Sequence, residues 1–165
     1  MERTCLHQQC RNVSVNTPSA ATNLKRERTI DENVPTVKSL VLYPRMRIYI
    51  GHSSSIDYKT DIYHPIRKSE LNNQHEFILP HESSDQPTNT LELMKTFDLM
   101  IAEVSQPSTG LGIEMGLAHA IDLPIIAIHR DDATPSSSIT TITKQIYSYH
   151  ADNLIETLET AITNL

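Results

Sequence analysis

Residues 98–104 read Asp98-Leu99-Met100-Ile101-Ala102-Glu103-Val104. A nearly continuous apolar run of this kind is typical of a central parallel strand that is covered on both faces. The chain then continues with Ser105-Gln106-Pro107-Ser108-Thr109-Gly110-Leu111-Gly112-Ile113-Glu114-Met115-Gly116. This segment predicts a polar loop that leads into a helix from Gly110 to Ile121. A buried strand, a loop and a helix in this order indicate one unit of an α/β protein.

Strands and helices alternate on both sides of this unit. Short apolar runs bounded by Gly, Pro or polar residues predict four more strands, at 47–51, 76–80, 123–128 and 143–149. Apolar residues at three-to-four spacing predict helices at 57–71 and 152–165. The first of these has a kink or an early boundary at Pro65, and Asn89 is a suitable N-cap for a short helix that runs through Thr96.

This alternation predicts right-handed βαβ units and a parallel sheet. Five strands favour a flavodoxin-like three-layer α/β fold with the strand order 2-1-3-4-5. Ligands of such sheets bind outside the carboxyl ends of the strands, at the point between strands 1 and 3 where the order reverses. We therefore expect the loop after Gly51 and the loop after Val104 to border one crevice.

Residues 1–44 differ in composition from the rest of the chain. They are polar, rich in Asn, Thr, Ser and Gln, and carry neither a strand period nor a helix period. Such a segment cannot bury enough apolar surface to offset its chain entropy. We expect a disordered or poorly ordered tail at 1–44 and a single domain at 45–165.

The net charge argues against nucleic acid polymers as partners. The formal charge is −6, whereas a protein that binds the phosphate backbone needs clustered Lys and Arg. A single phosphate on a small ligand can still be held by backbone N–H groups and hydroxyls.

The composition also predicts a cytoplasmic protein without membrane association. Cys5 and Cys10 lie in the polar tail, where they cannot staple a core, and we expect reduced thiols. No apolar run approaches the roughly 20 residues of a membrane span, and the N-terminus lacks the apolar region of a secretory signal. His64, His75 and His81 form neither H-x3-H nor H-E-x-x-H, so no metal and no cofactor is predicted.

Glu114 is the candidate catalytic residue. In a helix that begins at Gly110 it lies in the first turn, where the N–H groups and the macrodipole favour the ionised carboxylate. An ionised carboxylate beside a cavity acts as a nucleophile or as an electrostatic stabiliser. Gly110 and Gly112 let the backbone approach a ligand and adopt positive φ. The alternative is an ordinary helix-start glutamate that balances the dipole.

The segment 97–116 resembles the signature of the nucleoside 2-deoxyribosyltransferase superfamily, and within it the 2'-deoxynucleoside 5'-phosphate N-hydrolases. The likeness continues through 117–120 and 124–128, with 48–51 at the front, and covers about residue 46 to the C-terminus. The resemblance implies that Glu114 attacks C1' of the sugar and displaces the base, which is the retaining logic of glycosidases. It implies that Tyr49 positions this nucleophile, although a strand tyrosine that merely packs in the core is an equal alternative.

The resemblance also assigns a substrate site. The phosphate-specific hydrolases carry serine six residues before the catalytic glutamate, and this chain has Ser108 there. Ser53 resembles their strand-1 loop serine, within the segment that begins Gly51-His52. Ser138 resembles a serine that a neighbouring subunit contributes, which implies a homodimer. Hydroxyl groups suit a phosphate because each donates one hydrogen bond.

Two positions depart from the family pattern. The general acid of the family is an aspartate, but Thr90 occupies its position and is far too weak an acid to protonate a leaving base. Substitutes are Asp57, His81, Glu82 and Asp85. The arginine of the phosphate loop is replaced by Ser55, and His52 either supplies some of that positive charge or is an ordinary polar loop residue.

These features leave three hypotheses. The first is an N-glycosidase that hydrolyses a (deoxy)nucleoside 5'-monophosphate to a free base and a sugar 5-phosphate. The second is a transferase that moves the sugar between bases, which Ser108 fits poorly. The third, motivated by Thr90 and Ser55, is a catalytically weak nucleotide-binding module. A phosphoribohydrolase of the lysine-decarboxylase-like type would need a Pro-Gly-Gly-x-Gly-Thr loop, which this sequence lacks.

Overall fold

The predicted sheet is confirmed in a computed structural model that describes residues 44–83 and 90–165. All neighbouring strands are parallel, and their order is β2-β1-β3-β4-β5. The strands are β1 Arg47–Gly51, β2 Glu76–Ile78, β3 Leu99–Glu103, β4 Ile125–Arg130 and β5 Ile146–Tyr149. The predicted tail, apart from Pro44, lies outside the described residues, as do Asp85 and Asn89.

The helices follow the predicted alternation with local differences. They are α1 His64–Lys68, α2 Leu71–Gln74, α3 Thr90–Met94, α4 Thr109–Ala120, α5 Ile139–Ile142 and α6 Leu154–Thr163. A π-helical turn, Lys59–Tyr63, precedes α1, and a 3₁₀ turn, Ala151–Asn153, precedes α6. The short helix α5 was not predicted, because four residues carry too little periodicity to be recognised.

The predicted helix at 57–71 is divided at its proline. Pro65 lies in the first turn of α1, where its missing N–H costs no hydrogen bond. Directly before it, the N–H of His64 bonds to the carbonyl of Lys59, five residues back, which produces the π-helical turn. Ser69 then adopts an extended conformation and separates α1 from α2.

Apolar side chains leave the sheet alternately towards its two faces, as expected of strands that are covered on both sides. Ile48, Ile50, Leu99 and Ile101 belong to a core shared with α1 and α6. The alternate residues Tyr49, Met100 and Ala102 belong to a second core shared with α3 and α4. The fold therefore has three layers, with Tyr49 on the α4 side of the sheet.

The register brings the two predicted loops together. Gly51, the last residue of β1, pairs with Ala102 near the end of β3. The loop after Gly51 and the loop after β3 thus leave adjacent strands at the same edge of the sheet. Within the described ranges, no helix is both long enough and apolar enough to cross a membrane.

Candidate active site

Glu114 lies in the second turn of α4, which corrects the prediction of a first-turn position. The helix begins at Thr109 because the Ser108 side chain caps it, its Oγ accepting a hydrogen bond from the N–H of Leu111 at 3.4 Å. The first turn of α4 carries no acidic residue. The dipole argument for an ionised Glu114 therefore fails, since that field acts within the first turn.

The environment raises the pKa of Glu114 instead of lowering it. Burial is the largest cause, and it disfavours the charged carboxylate. A hydrogen bond from Tyr49 and the charge of His81 oppose this effect and lower the pKa. A carboxylate that is costly to ionise and is held by one donor is typical of a reactive group.

Tyr49 both packs in the core and positions Glu114. Its side chain is buried, and its ring stacks on that of Phe97 with the centroids 5.2 Å apart. Its hydroxyl donates a hydrogen bond to Glu114 Oε1 at 2.9 Å. Burial and the neighbouring carboxylate raise the pKa of Tyr49, so the phenol remains a donor. Tyr49 thus packs in the core and also bonds to Glu114.

Gly51 makes room for the carboxylate at the end of β1. A Cβ atom at this position would lie 2.8 Å from Leu111 Cδ1, 2.8 Å from Met100 Cε and 3.2 Å from Glu114 Oε2. Contacts below 3.0 Å require displacement of the neighbouring atoms. A side chain at this position would therefore have to displace the ends of Leu111 and Met100 and would crowd the Glu114 carboxylate.

Neither Gly110 nor Gly112 adopts positive φ. Both lie within α4, and no glycine of the chain has a positive φ. A Cβ atom would meet only Ser108 Oγ at 3.9 Å when placed at Gly110, and nothing within 4 Å at Gly112. These two glycines leave open space at the surface of α4, and neither has a strained backbone.

His52 is buried, and burial disfavours a positive charge on its ring. Its Nδ1 lies 3.1 Å from the carbonyl of Ser53 and its Nε2 lies 2.6 Å from the Tyr63 hydroxyl. A carbonyl only accepts, so Nδ1 carries the proton and Nε2 accepts from Tyr63. Burial lowers the pKa of His52 and keeps the ring uncharged.

An aromatic cluster that was not predicted from the sequence surrounds His52. The Tyr58 ring stacks on His52 with the centroids 3.9 Å apart, and Tyr63 meets it edge-on at 5.3 Å. His81, which follows β2, completes the cluster at 5.6 Å from His52. The available signal was the presence of two tyrosines within 12 residues of Gly51 in the first helical segment.

The three predicted serines occupy different places. Ser53 is buried, and its Oγ accepts a hydrogen bond from the N–H of Ser55 at 3.2 Å. Ser108 is the half-buried N-cap of α4. Ser138 is exposed at the N-terminus of α5, with its Oγ 2.8 Å from that of Ser136. Among the hydrogen bonds of the described residues, none joins Ser138 to Glu114 or Ser108.

Of the three candidate proton donors that the structure describes, His81 lies beside His52 in the aromatic cluster. Glu82 is ion-paired with Arg67 at 2.6 Å, which lowers the pKa of this carboxyl. Asp57 is exposed, and its Oδ1 accepts a hydrogen bond from Thr60 N at 3.2 Å. Asp85 lies outside the described residues, and Thr90 is the first residue of α3.

A separate cavity of about 350 Å³ opens where β4 and β5 end. Its lining includes Asp61, Arg130, Tyr149 and His150, and contains none of the predicted site residues. Tyr149 belongs to the core on the α1 side of the sheet, whereas Glu114 projects from α4 on the other side. In the part of the chain that the structure describes, no group of three or more His, Cys, Asp or Glu residues is arranged to hold a metal ion.

Comparison with known proteins supports the resemblance seen in the sequence. No family model matches the chain. A curated relative from Syntrophotalea carbinolica, named "Putative 2'-deoxynucleoside 5'-phosphate N-hydrolase 1", is 42% identical over 60 residues. The match covers 36% of this chain and 42% of the relative, so the chain spans less than half of the length of that protein. The likeness to these N-hydrolases is confirmed over that part.

Two solved structures share the fold. A CMP N-glycosidase of Clostridium botulinum has a TM-score of 0.53 at 24% identity, over 69% of this chain and 98% of its own. A conserved protein of Enterococcus faecalis has a TM-score of 0.53 at 16% identity, over 73% of this chain and 99% of its own. At these identities the likeness concerns the fold alone.

Proposed function

We propose that this protein is an N-glycosidase that hydrolyses a (deoxy)nucleoside 5'-monophosphate to a free base and a sugar 5-phosphate, with Glu114 as the nucleophile. One observation carries the proposal: the Glu114 carboxylate is held by Tyr49 beside Gly51, at the carboxyl edge of β1 and β3. Ligands of such sheets bind at this edge. The names of the curated relative and of one structural neighbour, an N-hydrolase and an N-glycosidase, agree with this reaction.

The hydrogen bond from Tyr49 supports different roles for the two carboxylate oxygens. Within the described residues, the hydrogen bond to Glu114 reaches Oε1, which leaves Oε2 for the sugar. In the first step Oε2 forms a bond to C1' as the C1'–N bond breaks, and the bonding electron pair leaves with the base. Water then attacks C1', the ester bond to Glu114 breaks, and the carboxylate is regenerated.

Loop hydroxyls, and not an arginine, would hold the phosphate of the substrate. Ser53 and Ser108 follow β1 and β3, the two strands that border the crevice. With Ser55 at the arginine position and His52 neutral, these side chains supply hydrogen bonds without charge. We therefore propose that the phosphate sets the orientation of the substrate and adds modestly to its affinity.

We further propose that the protein is a homodimer in which α4 faces α4 of a second copy. Apart from Glu114 and His119 this helix carries no ionisable side chain, and Ile113 on its outer face is 60% exposed. A helix that is apolar around its circumference is normally buried. Gly112 and Gly116, one turn apart on the exposed side, permit close contact. Because α5 packs beside α4, the partner would carry its own Ser138 towards the site.

Base release from a panel of nucleoside 5'-monophosphates tests the reaction. The purified protein is incubated with each nucleotide, and the free base is measured by chromatography. We expect release with at least one nucleotide and none with Glu114→Ala. A rapid-quench mass measurement should detect the sugar phosphate ester on Glu114. Release by Glu114→Ala at the wild-type rate would contradict the proposal.

Two alternatives are distinguished by the same assay. A transferase would release base only when an acceptor base is added. A nucleotide-binding module, which Thr90 and Ser55 favour, would show a nucleotide-dependent rise in melting temperature without turnover.

A further inference from the structure

We propose that His81 is the proton donor to the leaving base, in place of the aspartate that this chain lacks at Thr90. This assignment rests on the proposed function and names a second catalytic residue for it. In this reaction the base departs with the electron pair of the C1'–N bond, so a proton must reach it in the transition state.

His81 lies at the edge of the sheet where the reaction would occur. It follows β2, which pairs with β1, and its half-buried ring is 5.6 Å from the ring of His52 and 6.0 Å from that of Tyr58. His52 directly follows Gly51, at which a Cβ would lie 3.2 Å from Glu114 Oε2. His81 thus lies beside the residue that follows Gly51, at the end of β1 against which Glu114 packs.

The backbone around His81 is held in place by a fixed ion pair. Arg67 Nε and Nη2 donate to Glu82 Oε1 at 2.9 Å and to Oε2 at 2.6 Å. Arg67 Nη2 also donates to the carbonyl of Phe77 in β2 at 3.2 Å. Glu82 N in turn bonds to the carbonyl of Leu79 at 3.1 Å, which closes the turn that contains His81. A two-point Arg–carboxylate contact fixes orientation as well as distance.

The other polar side chains near His81 are already bound to partners or are poor acids. Both ring nitrogens of His52 are engaged, one with Ser53 and one with Tyr63. Burial raises the pKa of Tyr63, which makes its hydroxyl a poor acid. Glu82 is bound to Arg67. Among the described side chains around His52, His81 is therefore the one left to transfer a proton.

The charge of His81 also suits the nucleophile. Its charge lowers the pKa of Glu114 and so supports the ionised carboxylate that attack requires. As Oε2 bonds to C1' and the C1'–N bond breaks, His81 gives its proton to the base and becomes neutral imidazole. In the second step the imidazole accepts a proton from the attacking water, and both residues return to their starting states.

The test compares two substrates in the full-length protein and in His81→Gln. One is the nucleotide, which needs a proton on its leaving group. The other is the 4-nitrophenyl glycoside of the same sugar 5-phosphate, whose leaving group departs as the anion. We expect His81→Gln to lower kcat/KM for the nucleotide by about 10² to 10⁴-fold and to leave kcat/KM for the nitrophenyl substrate within about threefold of wild type, because kcat/KM reports the step in which the leaving group departs. Added imidazole should restore part of the nucleotide activity in His81→Ala.

Matched controls separate this role from a structural one. His64→Gln changes an exposed histidine of α1 and should leave both reactions unchanged. An equal loss of kcat/KM on both substrates in His81→Gln would overturn the assignment. A loss confined to the nucleotide in Asp85→Asn, and absent in His81→Gln, would also overturn it. If the wild-type protein cleaves neither substrate, the proposed function itself is wrong.

Discussion

Tyr49 and Glu114 are 65 positions apart in the sequence, and a hydrogen bond of 2.9 Å joins them across the layer between β1 and α4. The bond ends on a carboxyl group whose pKa is raised by burial and lowered by the same tyrosine. The protonation of the nucleophile therefore depends on a balance between desolvation and one hydrogen bond.

Replacing Tyr49 with Phe removes the donor and should raise the pKa of Glu114 further. Because attack requires the carboxylate, the acidic limb of the profile of log kcat/KM against pH should move to higher pH. We expect the value at neutral pH to fall by roughly tenfold or more, as expected when about 1.4 kcal/mol of transition-state stabilisation is lost. Tyr147→Phe, which removes a hydroxyl bonded to Gln145, is the control. An unshifted acidic limb would exclude this role for Tyr49.

The raised pKa of Glu114 also predicts that the ionised Glu114 carboxylate lowers the free energy of unfolding. A carboxyl group whose folded pKa exceeds its unfolded value stabilises the protein fully below the unfolded pKa and loses that contribution as pH rises through the folded pKa. Glu114→Gln, which is neutral at every pH, should therefore be more stable than wild type at pH 7. Urea unfolding at pH 7 and near pH 4 should show this advantage shrinking in acid. A wild-type protein that is more stable than Glu114→Gln at pH 7 would contradict this prediction.

Gly51→Ala should damage both the fold and the site. Its Cβ would meet Leu111 Cδ1 and Met100 Cε at 2.8 Å, and we expect a loss of about 1–3 kcal/mol in the free energy of unfolding. Displacement of Glu114 should lower kcat/KM by about 10²-fold. For comparison, Gly110→Ala has only an ordinary contact at 3.9 Å and should not lower stability. Similar urea midpoints for the two variants would show that the contact at Gly51 relaxes freely.

The fold could be predicted because a strand that is buried on both faces has a nearly continuous apolar sequence, which can be recognised locally. No tertiary information was needed to recognise the apolar run 98–104 and the strands at 47–51 and 123–128. Their alternation with helices determined the predicted topology. The position of Glu114 at the crevice followed from the same alternation.

The chemistry of the site could not be predicted in the same way, because it depends on tertiary contacts. The dipole argument for Glu114 assumed that α4 begins at Gly110, whereas the Ser108 cap sets its start at Thr109. The charge of His52 depends on burial and on Tyr63, a residue 11 positions away. Local patterns locate polar groups, but only the packed structure determines their protonation.

The buried carboxylate of Glu103 predicts a second stability effect. Its Oε1 accepts hydrogen bonds from the hydroxyl and the N–H of Ser105 and from Tyr149, whose pKa is raised to about 12 by burial and by Glu103. Ser105 Oγ also accepts from Arg130 N at 2.7 Å. Ser105→Ala would leave these groups short of partners and should cost roughly 1–3 kcal/mol in urea unfolding. Ser148→Ala, at an exposed position of β5, is the control and should cost little. Equal stabilities of the two variants would show that this network does not hold the loop before α4.

The proposed α4 interface predicts that a single charge separates the two copies. Ile113 is 60% exposed, so Ile113→Glu should leave the fold intact while placing two like charges at the centre of the contact. We expect the wild-type protein to sediment as a dimer and Ile113→Glu to sediment as a monomer with an unchanged circular dichroism spectrum. Its KM for the nucleotide should rise, because Ser138 of the second copy is lost from the phosphate site. Thr163→Glu adds the same charge at an exposed position of α6 and should remain dimeric. The proposed α4 interface would be wrong if the wild-type protein stayed monomeric at every concentration, or if Ile113→Glu remained a dimer.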